Sequence, residues 1–503
     1  MTTVRPCERL HKVGAERANG RSAGRRRRPR LRTRGHDLGF REVDGFVGRA
    51  EELAALEAWW SSNAPRPALV WGRRRVGKTA LIEKFAEGRR AVFHTAARRP
   101  EVDELRELSS RIVPVAAGGL RDLAARPYER WEDLLDGLAE FAREEPLLLV
   151  LDEFPALMPM SPALPAVLRA FLDRSRGRTQ LRILICGSSV RVMEAIQDYR
   201  EPLYGRFDEA LLLHPFRPHE AAAMLLDLSP ADRAVAYGIV GGMPQYLSWW
   251  RQDRSVRENL RSLACRPGSL LLTEGERVLG TEIEQGDRPA AILYALAAGR
   301  TRYQEIEDAI KAEPSRTLDR LIRMRLVERL VPVTEDPART KRTIYRIADQ
   351  FLAFYLSVLS HYRGEIDRGL GRSILDAVMN DLDDHMGASY EEAFREYLRR
   401  MADLGQLGPG IVAVGPWWRE GGQGQIDAVV LARHNRSTAP VLVGESKWAR
   451  EVNGARLVHE LRSKARNGLA DPAALRYAIC AREAITALPS DAIGVTAMDI
   501  FSP

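Results

Sequence analysis

The sequence predicts an α/β fold: a parallel sheet that feeds a phosphate-binding loop, then a helical lid, a three-helix unit with a charged hairpin, and a further α/β domain at the C-terminus. Three observations predict it. The apolar run Ala68 to Trp71 leads into Gly72-Arg-Arg-Arg-Val-Gly-Lys-Thr79, which fits G-x-x-x-x-G-K-T without a gap and runs on into a helical stretch, Ala80 to Ala86. Pro146-Leu-Leu-Leu-Val-Leu-Asp-Glu153 is a continuous apolar run ending in two carboxylates, the pattern of a central parallel strand. Residues 91–145, between them, alternate short strands and helices.

The totals bound the rest. A chain of 503 residues with 45% apolar content has room for several cored domains. No run of 18 apolar residues occurs, so no membrane span is expected. Cys7, Cys186, Cys265 and Cys480 are scattered without a C-x-x-C pair. That fits a reducing, cytoplasmic setting and argues against structural zinc or a disulfide framework. Residues 1–40 hold 12 Lys and Arg against 3 Asp and Glu, a net of +9, so the net +8 of the chain comes from this segment and the remainder stands at −1. The body, at about neutrality, gives no charge argument for a polyanion partner.

Residues 1–40, with Arg25-Arg-Arg-Arg-Pro-Arg-Leu-Arg-Thr-Arg34, cannot bury enough apolar surface to order themselves and read as a disordered basic leader, with a nucleic-acid-binding arm as the alternative. From Phe46 to Trp60 apolar residues recur at helical spacing, and Phe46-Val-Gly-Arg49, just before that helix, resembles the segment of AAA+-type ATPases that flanks the adenine, which implies an apolar wall for the base. In the loop itself, Gly72 and Gly77 allow the backbone of Arg73, Arg74, Arg75 and Val76 to turn its N–H groups onto phosphate oxygens. The helix start at Thr79 and Ala80 adds free N–H groups and a favourable dipole. Lys78 is expected to neutralise the β- and γ-phosphates, and the Thr79 hydroxyl to ligate Mg²⁺. Asp152, at a strand end, is placed to hold the same Mg²⁺, and Glu153 to polarise the attacking water.

Arg182-Ile-Leu-Ile-Cys-Gly-Ser-Ser189 is another apolar strand with polar small residues at its end. Ser188 or Ser189 would reach the γ-phosphate or the water, or would simply cap the next helix. Arg206 is a candidate charge stabiliser, in cis or in trans, with a surface ion pair as its rival. Residues 218–285 read as a helical lid broken at Gly241-Gly-Met-Pro-Gln-Tyr246. Three short helices (290–298, 302–310, 315–326) and two short strands (327–333, 343–347) follow, the pattern of a winged helix-turn-helix. Arg316, Arg320 and Arg323 would face phosphates of DNA, or the unit would only pack.

Taken together, Gly72–Thr79, Leu151-Asp-Glu-Phe-Pro155, Cys186–Ser189, Leu203-Tyr-Gly-Arg206, Gly241–Leu247 and Tyr345–Leu352 resemble the archaeal-type ATPases, P-loop proteins related to AAA+ and signal-transducing NTPases. The resemblance covers about residues 44 to 465. It implies ATP rather than GTP and a C-terminal domain that is nuclease-like.

That domain can also be read from its residues. Gln425–Leu431 and Pro440–Trp448 form a predicted β-hairpin. Glu445 and Lys447, two apart on a strand, share a face, and Asp427 lies on the neighbouring strand. This is the Asp…Glu-x-Lys set of PD-(D/E)xK nucleases, in which Asp427 and Glu445 would hold Mg²⁺ and Lys447 would orient water or stabilise the phosphate. Glu391, on the preceding helix, is a further carboxylate. A binding-only domain and a simple Glu445–Lys447 ion pair are the alternatives. Trp417 and Trp418 would stack on bases or, the reading favoured for large aromatics, pack in the core and hairpin, and His94, His214 and His219 do not make metal-ligand spacing.

The expected organisation is a disordered leader (1–42), a P-loop ATPase core (43–217), a helical lid (218–285), a winged helix (286–350), and a helical linker with a restriction-endonuclease-like domain (351–503). The expected activity is Mg²⁺-dependent ATP hydrolysis serving as a switch on DNA or a partner, with metal-dependent DNA cleavage open. The alternative is an ATP-binding signalling scaffold whose nuclease-like domain only docks. A homo-oligomer is a candidate assembly.

Overall fold

A computed structural model describes residues 46–63, 66–114, 122–281, 287–419, 424–435 and 437–503. The basic leader lies outside the described residues. Five strands form the first sheet: β1 (Ala68–Trp71), β2 (Ala91–Thr95), β3 (Leu147–Asp152), β4 (Leu181–Gly187) and β5 (Glu209–Leu212). They are all parallel, in the order β2-β3-β4-β1-β5. The period of two along a strand sends alternate side chains to opposite faces. Leu148 and Val150 of β3, with Val70 and Cys186, join one core, while Leu147, Leu149 and Leu151, with Leu69 and Ile185, join the other. Helices cover both faces, so the inner strands β1, β3 and β4 are buried along their whole length and mostly apolar. Each fully buried Leu stabilises the fold by about 1.5–3 kcal/mol.

The first of those cores does not stop at the ATPase sheet. It runs on through the lid (Tyr246, Leu271), the three-helix unit (Leu293, Ile306, Leu318) and the helix Gln350–Ser357 (Phe351, Tyr355). The lid, the three-helix unit and the junction therefore pack as one apolar body with one face of the sheet. The three helices are Asp287–Ala297, Tyr303–Ile310 and Ser315–Arg323. The hairpin after them, β6 (Val327–Leu330) and β7 (Ile344–Ile347), is shorter than its sequence pattern because Pro332 has no N–H to donate. Beyond it, the Val333 N–H donates to the Pro416 carbonyl of the C-terminal domain.

The 29-residue helix Leu375–Asp403 leads into a mixed sheet made of β8 (Ile411–Trp417), β9 (Ile426–His434) and β10 (Ser437–Lys447), followed, after the short β11 (Glu451–Asn453), by β12 (Arg476–Ala481). The short β13 (Ala484–Thr486) pairs with β11, and β14 (Ala492–Thr496) completes the main sheet. Its order is β14-β12-β10-β9-β8. β8, β9 and β10 are antiparallel neighbours, and β12 and β14 continue parallel to β10. The helix Gly454–Arg466 makes the crossover from β10 to β12. No helix among the described residues is long and apolar enough to cross a membrane.

Candidate nucleotide site and C-terminal carboxylate site

Three strand ends converge at the carboxyl edge of the first sheet. β1 delivers the loop Gly72–Thr79, β3 delivers Asp152 and Glu153, and β4, lying between them, delivers Ser188. Gly72, at φ 155°, has no room for a side chain: an added Cβ would lie 2.6 Å from the Leu213 carbonyl oxygen. The buried Lys78 ammonium donates to the carbonyls of Gly72 and Arg73, both at 3.0 Å. Lys78, Thr79, Arg74 and Glu153 line a cleft of about 570 Å³ whose far wall is Pro244, Gln245 and Ser248 of the lid. Thr79 and Asp152 also share an adjoining cavity of about 300 Å³ with Phe93 and Thr95.

Glu153 adopts the left-handed region, φ 52°, which costs about 1–2 kcal/mol for a residue with a Cβ. Its carboxylate is held by the Ser188 hydroxyl at 2.8 Å, so Ser188 is turned towards Glu153. Ser189 is the residue at the helix start and makes no side-chain cap there. Asp152 is buried and accepts the Glu153 N–H at 2.9 Å.

The loop arginines behave differently from one another. Arg74 is exposed in the cleft. Arg73 turns away and pairs with buried Asp349 at 2.5 Å. Arg75, at φ 68°, pairs with Glu274 of the lid helix Leu270–Thr281 at 2.8 Å and lies over the Trp249 ring. Val76 is in the core. The Arg73 side chain is thus held by Asp349 and Val76 by the core, while Arg75 lines the cleft and is held by Glu274. Arg49 ties the Phe46–Arg49 turn to the loop by donating to the carbonyls of Val76 (3.0 Å) and His214 (2.6 Å).

Arg206 is not at this site. It precedes β5 and lines a crevice with Arg66, Pro67 and Arg182, at the opposite end of the sheet, where it pairs with Asp173 at 3.1 Å. The cis reading of Arg206 is therefore corrected: its own chain's loop follows the far end of β1.

In the second sheet, Asp427 on β9 and Glu445 on β10 are one pair beyond Ala428 opposite Gly444, and both are buried. Asp427 accepts the Ser446 N–H at 2.9 Å, and Lys447 donates to Glu445 at 2.8 Å. Burial, reinforced by Glu445, raises the Asp427 carboxyl above its ordinary range. Burial, with Asp427 nearby, pushes Glu391 up to about 7. Burial alone would lower Lys447, but Glu445 beside it raises it. Lys464, on the crossover helix, donates to both Glu445 oxygens, at 3.0 and 2.8 Å. Among the described residues no group of three or more His, Cys, Asp or Glu comes together as a metal cage. Trp417 and Trp418 are buried, and His94 pairs with Glu104 in the core.

Residues 46–249 match a family model described as an ATPase domain predominantly from Archaea. Residues 46–249 form an archaeal-type ATPase domain. Residues 355–458 match a second model, of archaeal and bacterial proteins of unknown function. An uncharacterized protein of Methanocaldococcus jannaschii is 26% identical over 413 residues, 80% of this chain and 87% of its own. An uncharacterized ATP-binding protein of the same organism is 51% identical over 45 residues, 9% of this chain and 76% of its own. The solved Walker-type ATPase of Pyrococcus abyssi shares 22% identity, covering 62% of this chain and 96% of its own, with a TM-score of 0.48.

Sequence reasoning missed three residues that touch these sites: Glu274 and Asp349, which anchor arginines of the ATPase domain's loop, and Lys464. Asp349 had one signal, its place in the Tyr345–Leu352 junction. Glu274 and Lys464 had none, since each is a charged residue on an ordinary helix.

Proposed function

We propose that the protein is a Mg²⁺-dependent ATPase working as a nucleotide switch, and that its C-terminal sheet acts on DNA. The observation that carries the first half is one cleft bordered by Lys78, Thr79 and Glu153, with Asp152 reached through Thr79, in a domain of ATPase type. Backbone N–H groups of the loop and the helix start would hold the phosphates. Lys78 would exchange the carbonyls of Gly72 and Arg73 for β- and γ-phosphate oxygens. The Thr79 hydroxyl and the Asp152 carboxylate are hard oxygen donors facing one cavity, so they fit Mg²⁺, which when bound would neutralise charge on the phosphates. Glu153, fixed by Ser188, would orient the attacking water and take its proton. Arg206 would meet a γ-phosphate only in a neighbouring copy, which makes a homo-oligomer the arrangement that uses it.

For the second half, a helix, three antiparallel strands, a crossover helix and a parallel strand, with Asp427, Glu445 and Lys447 clustered, support a PD-(D/E)xK-like site for a divalent cation. The three helices and the β6–β7 hairpin support a winged helix, with Arg316 and Arg323 exposed. One observation favours the scaffold reading: both Glu445 oxygens are already bonded to lysines, so a cation must displace Lys464.

The test is metal-dependent cleavage of single- and double-stranded DNA by the full chain, with and without ATP, beside Asp427→Ala. Cleavage lost in the variant supports the nuclease. ATP hydrolysis without any cleavage supports the scaffold.

A further inference from the structure

One short segment lies between the two sites. Asp349 accepts from Arg73 of the phosphate loop at 2.5 Å, across 276 residues of sequence, and both groups are buried. Its other oxygen caps the helix Gln350–Ser357 by accepting the Leu352 N–H at 2.6 Å. Arg73 in turn supplies, through its carbonyl, one of the two acceptors that hold Lys78. Three residues before Asp349, at the end of β7, Arg346 pairs with Glu392 on the long helix at 2.5 Å and with Glu328. Glu392 accepts Arg395 at 2.8 Å, and Arg395 donates at 2.7 Å to the backbone carbonyl of Asp427 itself. Glu392 is also next in sequence to Glu391. The run from Lys78 to Asp427 is loop carbonyl, Arg73, Asp349, then the backbone of residues 346–349 to Arg346, and from there Glu392, Arg395 and strand β9.

We propose that Asp349, against the loop, and Arg346, against the long helix, are positioning residues that together link the two sites, so that nucleotide at the loop resets the strand carrying Asp427. The inference rests on reading the loop as the ATP site and on Asp427 and Glu445 as the C-terminal site. Two features favour it. Lys78 must leave the Arg73 carbonyl to reach phosphate, and any shift of Arg73 is felt by a buried partner, since leaving a buried charge unpaired is strongly destabilising. The segment also has room to move: Arg73, Arg346, Asp349 and Glu392 line a cavity of about 890 Å³ between the core, the lid and the long helix. Packed ion-pair networks of this kind have discrete arrangements, which is what a switch needs.

Hydrogen exchange of residues 426–447 in the full chain, with and without ATP and Mg²⁺, tests it, with ATP affinity measured on the same samples. The variants are Asp349→Asn, which keeps the helix cap, Arg346→Met, and Arg346→Lys as the conservative rescue. In the wild type, ATP is expected to change exchange of this segment by roughly five-fold or more. Arg346→Met should still bind ATP within about three-fold of wild type but lose that response, because the two couplings are separate ion pairs. Arg346→Lys should restore part of it. Asp349→Asn should weaken ATP and lose the response together. ATP binding with no change in residues 426–447 of the wild type overturns the inference, as does the same change persisting in Arg346→Met. Failure of the wild type to bind ATP instead overturns the ATPase reading, and is seen directly in the affinity arm.

Discussion

A single methyl group at Gly242 tests how the lid is docked against the nucleotide site. An added Cβ would lie 1.9 Å from the Phe216 carbonyl oxygen and 2.8 Å from the Phe216 carbonyl carbon and nitrogen. These are backbone atoms, so no side-chain rotation relieves the overlap. The Phe216 N–H also donates to the Gly242 carbonyl at 2.7 Å, so moving the turn away loses that bond, worth about 1 kcal/mol. Loosening buried Phe216 and Met243 adds about 1–3 kcal/mol. Gly242→Ala is therefore expected to lose roughly 2–4 kcal/mol in denaturant unfolding. Pro244, two residues on, borders the phosphate cleft, so ATP affinity should fall by about ten-fold or more as the lid shifts. Unfolding midpoints followed over an ATP titration read both quantities. A variant within about 0.5 kcal/mol of wild type, with unchanged ATP affinity, refutes the close backbone contact and the docking inferred from it.

Glu153→Gln should keep ATP binding while phosphate release slows by roughly 10²–10⁴-fold, whereas Lys78→Ala should lose both; weak ATP binding by Glu153→Gln in equilibrium dialysis would count against a role confined to the water. Glu445→Gln removes the charge that two lysines pair with, and one of its two acceptor oxygens, in a buried place and is expected to cost about 2–4 kcal/mol in thermal or denaturant melts; a gain in stability would mean that repulsion from Asp427 dominates. Burial, with Arg400 and Arg217 nearby, lowers His219 from 6.5 to about 4. The unfolded chain then takes up a proton that the folded chain refuses, so the contribution is full above 6.5 and is lost as pH falls towards 4. For a half-buried ring the loss is about 1–2 kcal/mol. Stability measured from pH 7 to 4 should decline less in His219→Gln, and an equal decline in both would place the proton elsewhere.

What was legible in the sequence was local. The loop Gly72–Thr79, the apolar strand ending at Asp152 and Glu153, and the alternation that puts Glu445 and Lys447 on one face are each written in fewer than a dozen consecutive residues. A tight turn between a buried strand and a helix needs glycine at fixed offsets, and a strand buried on both faces needs an unbroken apolar run, so composition and spacing suffice. The hairpin β9–β10 was visible for the same reason, though the parallel strands β12 and β14 were not, because their pairing is non-local. The tertiary structure decided which charges meet. Arg73, Arg74 and Arg75 are indistinguishable as a run of three, yet one is buried against Asp349, one is exposed in the cleft and one is held by Glu274. Arg206 lies at the wrong end of its own sheet to serve its own loop, which only the strand register reveals. Lys464 reaches Glu445 because a crossover helix returns along the sheet. A motif fixes backbone shape over a few residues, whereas an ion pair is chosen by the packing that brings distant segments within about 3 Å, and that packing is a property of the whole core.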